Sequence, residues 1–215
     1  MKDYTCYLFD VDGTLLDTAE LIFRCFEYTC RRFAGIEADR DAVVRHIGLP
    51  LRRQLEVYMG PLTDERAREI TAAHMEFQLS IYEKFLRPFP TVPEGMALLK
   101  RAGKRIGAVT SRKQRTLNLY LEQTALREYF DVLVSPEMTS AHKPGPEPAM
   151  KALEILGCTA RESLMIGDSS FDIECGAGAG MDTAFVAWSH NDASLLPVAP
   201  TYVITDLRLL GARGT

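Results

Sequence analysis

Five short apolar, β-prone runs punctuate this chain, at residues 4–9, 105–109, 131–134, 163–166 and 183–187, with a weaker sixth at 202–204. Helical patterns at 93–102, 113–123, 146–156 and 172–179 separate most of them. Apolar runs that alternate with helices call for a parallel sheet covered on both faces. The stretch from Asp17 to about Leu86 is of another kind and reads almost entirely as helix. Asp17 or Thr18 is a suitable N-cap, and Leu21, Ile22, Cys25, Phe26, Thr29 and Phe33 follow at helical spacing until Gly35. Pro50 opens a second helix through Leu51, Leu55 and Tyr58, which Gly60-Pro61 stops, and Thr63 caps a long one toward Phe85. Pro88-Phe89-Pro90 then returns the chain to the sheet. The expected architecture is α/β: a doubly wound parallel sheet formed by residues 1–15 and 87–215, with an α-helical domain inserted at 16–86. An insertion after the first strand is expected to lie over the carboxyl ends of the strands, where open α/β sheets bind ligands.

Composition narrows the partners. The 215 residues include 25 basic and 29 acidic side chains, a formal net charge of -4, which offers no field to attract nucleic acid or an anionic membrane. Five cysteines, Cys6, Cys25, Cys30, Cys158 and Cys175, are scattered and odd in number, so a reducing compartment is expected rather than a disulfide framework or zinc site. No stretch approaches the roughly 18 apolar residues of a membrane span, and the N-terminus lacks a signal-peptide core. The reading is cytoplasmic.

Polar residues suited to one reaction follow the apolar runs. Asp10 and Asp12, within Asp10-Val11-Asp12-Gly13-Thr14, place two carboxylates at a strand end. One can attack phosphorus while the other moves a proton on the leaving group or on water. Thr110-Ser111, after the second run, offers a hydroxyl and backbone N–H groups ahead of a helix, which suit phosphate oxygens. Lys143 stands in the proline-stiffened His142-Lys143-Pro144-Gly145-Pro146-Glu147-Pro148, where an ammonium can neutralise phosphate and a carboxylate nucleophile. Asp168 ends the fourth run and Asp172 is read as opening the next helix; hard oxygen ligands of this kind suit magnesium. Taken singly, each cluster also reads as an ordinary turn, cap or surface charge. Their joint order sets them apart, because a right-handed parallel sheet brings such strand ends to one edge.

In these four motifs, and in their order over nearly its full length, the chain resembles the haloacid dehalogenase-like hydrolase superfamily. The resemblance is nearest to the phosphoglycolate phosphatase-like branch with its pyrophosphatase relatives, through residues 10–18, 89–93, 142–148 and Ala187-Trp188. It implies a Rossmann-like core with a helical cap. It further implies Asp10 as nucleophile forming an aspartyl phosphate and Asp12 as general acid and base. Magnesium would be held by Asp10, Asp168 and the Asp12 backbone carbonyl. The phosphoryl group would be held by Thr110, Ser111 and Lys143, with Asp172 in support. The expected partner is a small phosphorylated metabolite, phosphoglycolate- or pyrophosphate-like, and the expected protein is a monomer or homodimer.

The same resemblance allows other chemistries. A dehalogenase of this superfamily lacks the second aspartate of the first motif, so Asp12 speaks against that reading. Sugar phosphomutases of the β-phosphoglucomutase type usually carry a cap histidine where this chain has Ile22, and a mutase stands as the alternative enzyme. A non-catalytic binding protein on the same fold is the other alternative, and it has no need of an Asp-x-Asp pair. Arg52, after Gly48-Leu49-Pro50, is the candidate substrate contact in the helical insertion. Arg112 and Lys113 border the Thr110-Ser111 turn and could reach substrate, and a solvated helix start explains them equally well. Cys175 is expected to be a buried, inert thiol, His142 a surface histidine and Trp188 a residue of the site rim.

Overall fold

The computed structural model describes residues 1–211 of the chain. The chain opens with β1 (Cys6–Phe9) and β2 (Leu16–Asp17). Helices α1 (Ala19–Ala34), α2 (Arg40–Arg45), α3 (Leu51–Met59) and α4 (Asp64–Phe85) follow. After β3 (Arg87–Pro88) come α5 (Val92–Arg101), β4 (Arg105–Val109), α6 (Gln114–Gln123) and β5 (Val132–Val134). Then α7 (Glu147–Leu156), β6 (Ser163–Gly167), α8 (Ser170–Gly178), β7 (Asp182–Val186) and β8 (Tyr202–Ile204) complete the order.

The structure separates into two units, Met1–Leu16 with the chain from Pro88 onward, and Asp17–Arg87. The dividing points lie one residue beyond 15/16 and 86/87, because Leu16 is fully buried and belongs with the sheet unit. Leu16–Asp17 and Arg87–Pro88 pair with each other as a two-stranded ladder where the chain passes from one unit to the other.

The first unit is built on a six-stranded sheet of order β5-β4-β1-β6-β7-β8, with every pairing parallel. All four residues of β1 are buried, as are all five of β6, which explains why these strands carry no polar alternation. On one side, Cys6, Leu8, Val109, Val132, Val134 and Met165 pack with Ala149, Ala152 and Leu153 of α7 and Cys175 of α8. Because β1 lies between β4 and β6, the chain leaves the sheet centre in two directions. The crevice at such a switch point is where an open sheet presents its ligand-binding loops.

The helical unit has its own core of Ala19, Ile22, Phe26, Cys30, Val43, Ile47, Leu55 and Ile70. Its start signals act as expected at α4, where the Thr63 hydroxyl accepts from the Arg66 N–H, and Gly35 ends α1 in the left-handed region at φ 67°. Helix α2 was not anticipated. It is only 6 residues long with a single buried side chain, so its periodicity is faint, yet Asp39 marks its start by accepting from the Ala42 N–H at 2.7 Å. A second difference concerns Asp172, which does not open α8. Ser169 is the N-cap, and Asp172 is the third helical residue, closing a reciprocal capping box with it.

Among the described residues, no helix is long and apolar enough to cross a membrane. Leu8 is fully buried at the centre of the sheet, so Leu8→Ala should lower unfolding free energy by about 2–5 kcal/mol in a denaturant titration. A loss under about 1 kcal/mol would mean that the cavity collapses freely and that β1 is not tightly packed.

Candidate active site

Asp10 directly follows β1, Thr110 follows β4 and Asp168 follows β6, so three adjacent parallel strands deliver their polar ends to the same edge. Lys143 arrives from the loop ahead of α7. Its Nζ donates to Asp10 Oδ1 at 2.6 Å, to Asp172 Oδ1 at 2.6 Å and to the Val109 carbonyl at 3.1 Å. An ammonium whose side chain is 2% exposed is stable only when its three protons find acceptors, and here all three do. Burial works against its charge, but the carboxylates of Asp10 and Asp172 outweigh that and hold its pKa above the usual lysine range.

Asp172 is spent on structure. One oxygen takes Lys143, while the other accepts from the backbone N–H of Ser169 at 3.0 Å and its hydroxyl at 2.7 Å. The Asp168 carboxylate accepts from Thr14 Oγ1 and Ser189 Oγ, both at 3.2 Å, and Asn191 Nδ2 donates to its backbone carbonyl at 2.9 Å. Gly13 makes room for it: a Cβ there would lie 2.4 Å from Asp168 Oδ2, and the φ of +84° already disfavours any side chain. Gly167 is equally constrained, since a Cβ would fall 2.1 Å from that of Asp172.

Asp12, by contrast, faces Arg112. The guanidinium Nε donates to Oδ2 at 2.8 Å and Nη2 to Oδ1 at 2.7 Å. The Thr110 hydroxyl accepts from the Arg112 N–H at 3.1 Å, which shapes the turn beyond β4. Ser111 is half-buried in that turn.

The structure thus joins Asp10, Lys143, Asp172 and Asp168 in one buried cluster, with Thr110 at the end of the neighbouring strand and Asp12 beside Arg112. The Arg52 guanidinium is taken up within the helical unit by Glu56, Asp64 and the Leu62 carbonyl. Sequence reasoning passed over the Arg112–Asp12 pair, and over Thr14, Ser189 and Asn191 around Asp168. The last two follow the 183–187 run as polar strand-end residues, the same signal that marked the four motifs. His142 is exposed, and Cys175 is buried with its thiol pushed up to about 11, chiefly by desolvation. Trp188 Nε1 donates to the Thr14 carbonyl at 3.0 Å.

Asp10, Asp168 and Asp172 bring carboxylate oxygens within 4.8 Å of one another, all buried. Desolvation first, then repulsion from Asp172 and Asp12 against the opposing pull of Lys143, pushes Asp10 up to about 7. Desolvation and repulsion from Asp172 and Asp10 raise Asp168 well above the usual carboxylate range. A hard divalent cation fits such donors: Asp10 and Asp168 can ligate it, Asp168 accepting from hydroxyls at 3.2 Å, whereas Asp172 is committed to the Lys143 ammonium at 2.6 Å and to Ser169 at 2.7 and 3.0 Å.

A profile of the haloacid dehalogenase-like hydrolases matches residues 7–186. The chain belongs to this family. It is 34% identical over 207 residues to a protein named pyrophosphatase PpaX from Bacillus velezensis, covering 96% of this chain and 94% of that one. A solved structure from Bacteroides fragilis, described as a haloacid dehalogenase-like hydrolase, superposes with a TM-score of 0.89 at 27% identity, covering 97% of this chain and 100% of that one. A β-phosphoglucomutase from Clostridium difficile shares the fold with a TM-score of 0.82 at 18% identity, covering 96% and 93% of the two chains.

Cation binding should release protons. Asp10 is raised to about 7, so it carries a proton over much of the mildly acidic range in the metal-free protein, and a cation requires the carboxylate. Affinity should therefore fall as pH drops from 8 to 6, with net proton release on binding near pH 6.5. Titration calorimetry in two buffers of different ionisation enthalpy reads this directly. Identical heats in both buffers at that pH would contradict the raised pKa of Asp10.

Proposed function

We propose that this protein is a magnesium-dependent phosphatase that hydrolyses a small phosphorylated metabolite through an aspartyl phosphate on Asp10. The observation that carries the reading is the buried Asp10–Lys143–Asp172 chain beside Asp168, with both Lys143 contacts at 2.6 Å. A carboxylate nucleophile repels the phosphate dianion it must attack, and little covalent help is available, so fixed cations and positioning must supply the rate. Lys143 stands against the nucleophile itself. Once ionised, Asp10, Asp12, Asp168 and Asp172 outnumber Lys143 and Arg112 by two negative charges, which a divalent ion would balance.

The residues take these roles. Asp10 attacks phosphorus. Asp12 protonates the leaving oxygen and then accepts a proton from the water that opens the acyl phosphate. Thr110, the Ser111 N–H and Lys143 hold the phosphoryl oxygens, and Asp172 orients Lys143. Magnesium, held by the Asp10 and Asp168 carboxylates and the Asp12 backbone carbonyl, would supply charge neutralisation at the transferring group. Pyrophosphate is the leading substrate, by likeness to the Bacillus velezensis relative, with phosphoglycolate next by resemblance to that branch. Ile22, packed in the core of the helical unit, speaks against the mutase alternative. The five cysteines are free thiols, which agrees with a cytoplasmic setting.

The test is turnover of pyrophosphate, phosphoglycolate and an aryl phosphate with magnesium, with products separated so that isomerisation of a sugar phosphate would be seen. Asp10→Asn should lower turnover roughly 10³-fold or more while the protein still folds, as its circular dichroism spectrum would show. Retained turnover in that variant would move the nucleophile elsewhere, and a wild type inactive on a broad phosphate panel would favour the binding-protein reading.

A further inference from the structure

Arg112 is a cation in the site that the four motifs leave unused. Its side chain is 7% exposed and that of Asp12 13%. The two meet edge to edge, one nitrogen on each carboxylate oxygen, at 2.8 and 2.7 Å. Among the described residues, Arg112 supplies both hydrogen bonds that the Asp12 carboxylate receives. Arg112 is itself held on other sides: its backbone N–H bonds Thr110 Oγ1, and its guanidinium carbon lies 4.1 Å from the ring centroid of Tyr120, fully buried on α6. A planar fork fixes a carboxylate in direction as well as distance, which a lysine ammonium does not. Lys143 already serves Asp10, so each carboxylate of the Asp-x-Asp pair has a cation of its own.

We infer that Arg112 is a positioning residue for Asp12, its two-point grip setting the direction in which Asp12 delivers and accepts protons. This rests on the reading of Asp12 as acid and base. In the first step an Asp10 oxygen bonds to phosphorus while the bond from phosphorus to the leaving oxygen breaks. The electron pair goes to that oxygen, which takes a proton from Asp12. In the second step water oxygen bonds to phosphorus, the Asp10–phosphorus link breaks with its pair returning to the carboxylate, and a water proton passes to Asp12. Whenever one Asp12 oxygen carries the proton, the other still accepts from Arg112. Each oxygen has a second lone pair that Arg112 leaves free, so the proton can come and go there while the fork keeps hold of the group.

The test is leaving-group dependence of enzyme phosphorylation, read by rapid mixing with magnesium. 4-Nitrophenyl phosphate needs little protonation of its leaving group; phenyl phosphate needs much more. Arg112→Lys and Arg112→Gln should release nitrophenolate in the first turnover within about threefold of wild type, while losing roughly ten- to hundredfold with phenyl phosphate. Steady-state kcat should fall for both substrates, because the second step also uses Asp12, with KM nearly constant. Adding Arg112→Lys to Asp12→Asn should cause no further loss. An equal loss with both substrates in the first turnover, an additive loss in the double variant, or no loss at all would overturn the assignment. A wild type that forms no acid-quenchable phosphoenzyme would instead remove the underlying reading, and this inference with it.

Discussion

A lysine ammonium enclosed by carboxylates is the interaction on which this protein's site depends. Isolated in the interior, the charge of Lys143 would be untenable. It is stable because β1 supplies Asp10, β4 supplies the Val109 carbonyl and the first turn of α8 supplies Asp172. The ion pair is therefore also a statement about topology: with β1 between β4 and β6, the ends of neighbouring strands bring these acceptors to one nitrogen. Removing one partner would leave a buried charge uncompensated, so the arrangement holds its geometry tightly even though ion pairing adds little net stability by itself.

The backbone around this centre is shaped by what it must not contain. Gly13 and Gly167 are bare because the carboxylates of Asp168 and the Cβ of Asp172 occupy the volume a side chain would fill. The Ser169–Asp172 capping box then lets Asp172 both brace the first turn of α8 and orient the lysine. Helix capping and electrostatics of the site are here one set of hydrogen bonds.

Much of this was legible in the amino-acid order. Burial on both faces writes itself as unbroken apolar runs, and a parallel sheet sends the residue after each run to a common edge, so Asp10, Thr110 and Asp168 could be placed together before any coordinates. What could not be read was which cation serves which carboxylate. Arg112 and Asp12 are 100 positions apart, and no periodicity encodes a pairing of that kind. Helix α2 escaped for a different reason: with one buried residue it leaves almost no amphipathic trace, and only the Asp39 cap betrays it.

The chain has a single tryptophan, and its indole is hydrogen-bonded to the carbonyl of Thr14, whose hydroxyl in turn donates to Asp168. Phe89 lies beside it, with ring centroids 6.1 Å apart. The molecule consequently carries its own optical reporter two bonds removed from the acidic cluster. With no competing indole in the sequence, any change in emission when the site is filled would come from Trp188 alone, in the unlabelled protein.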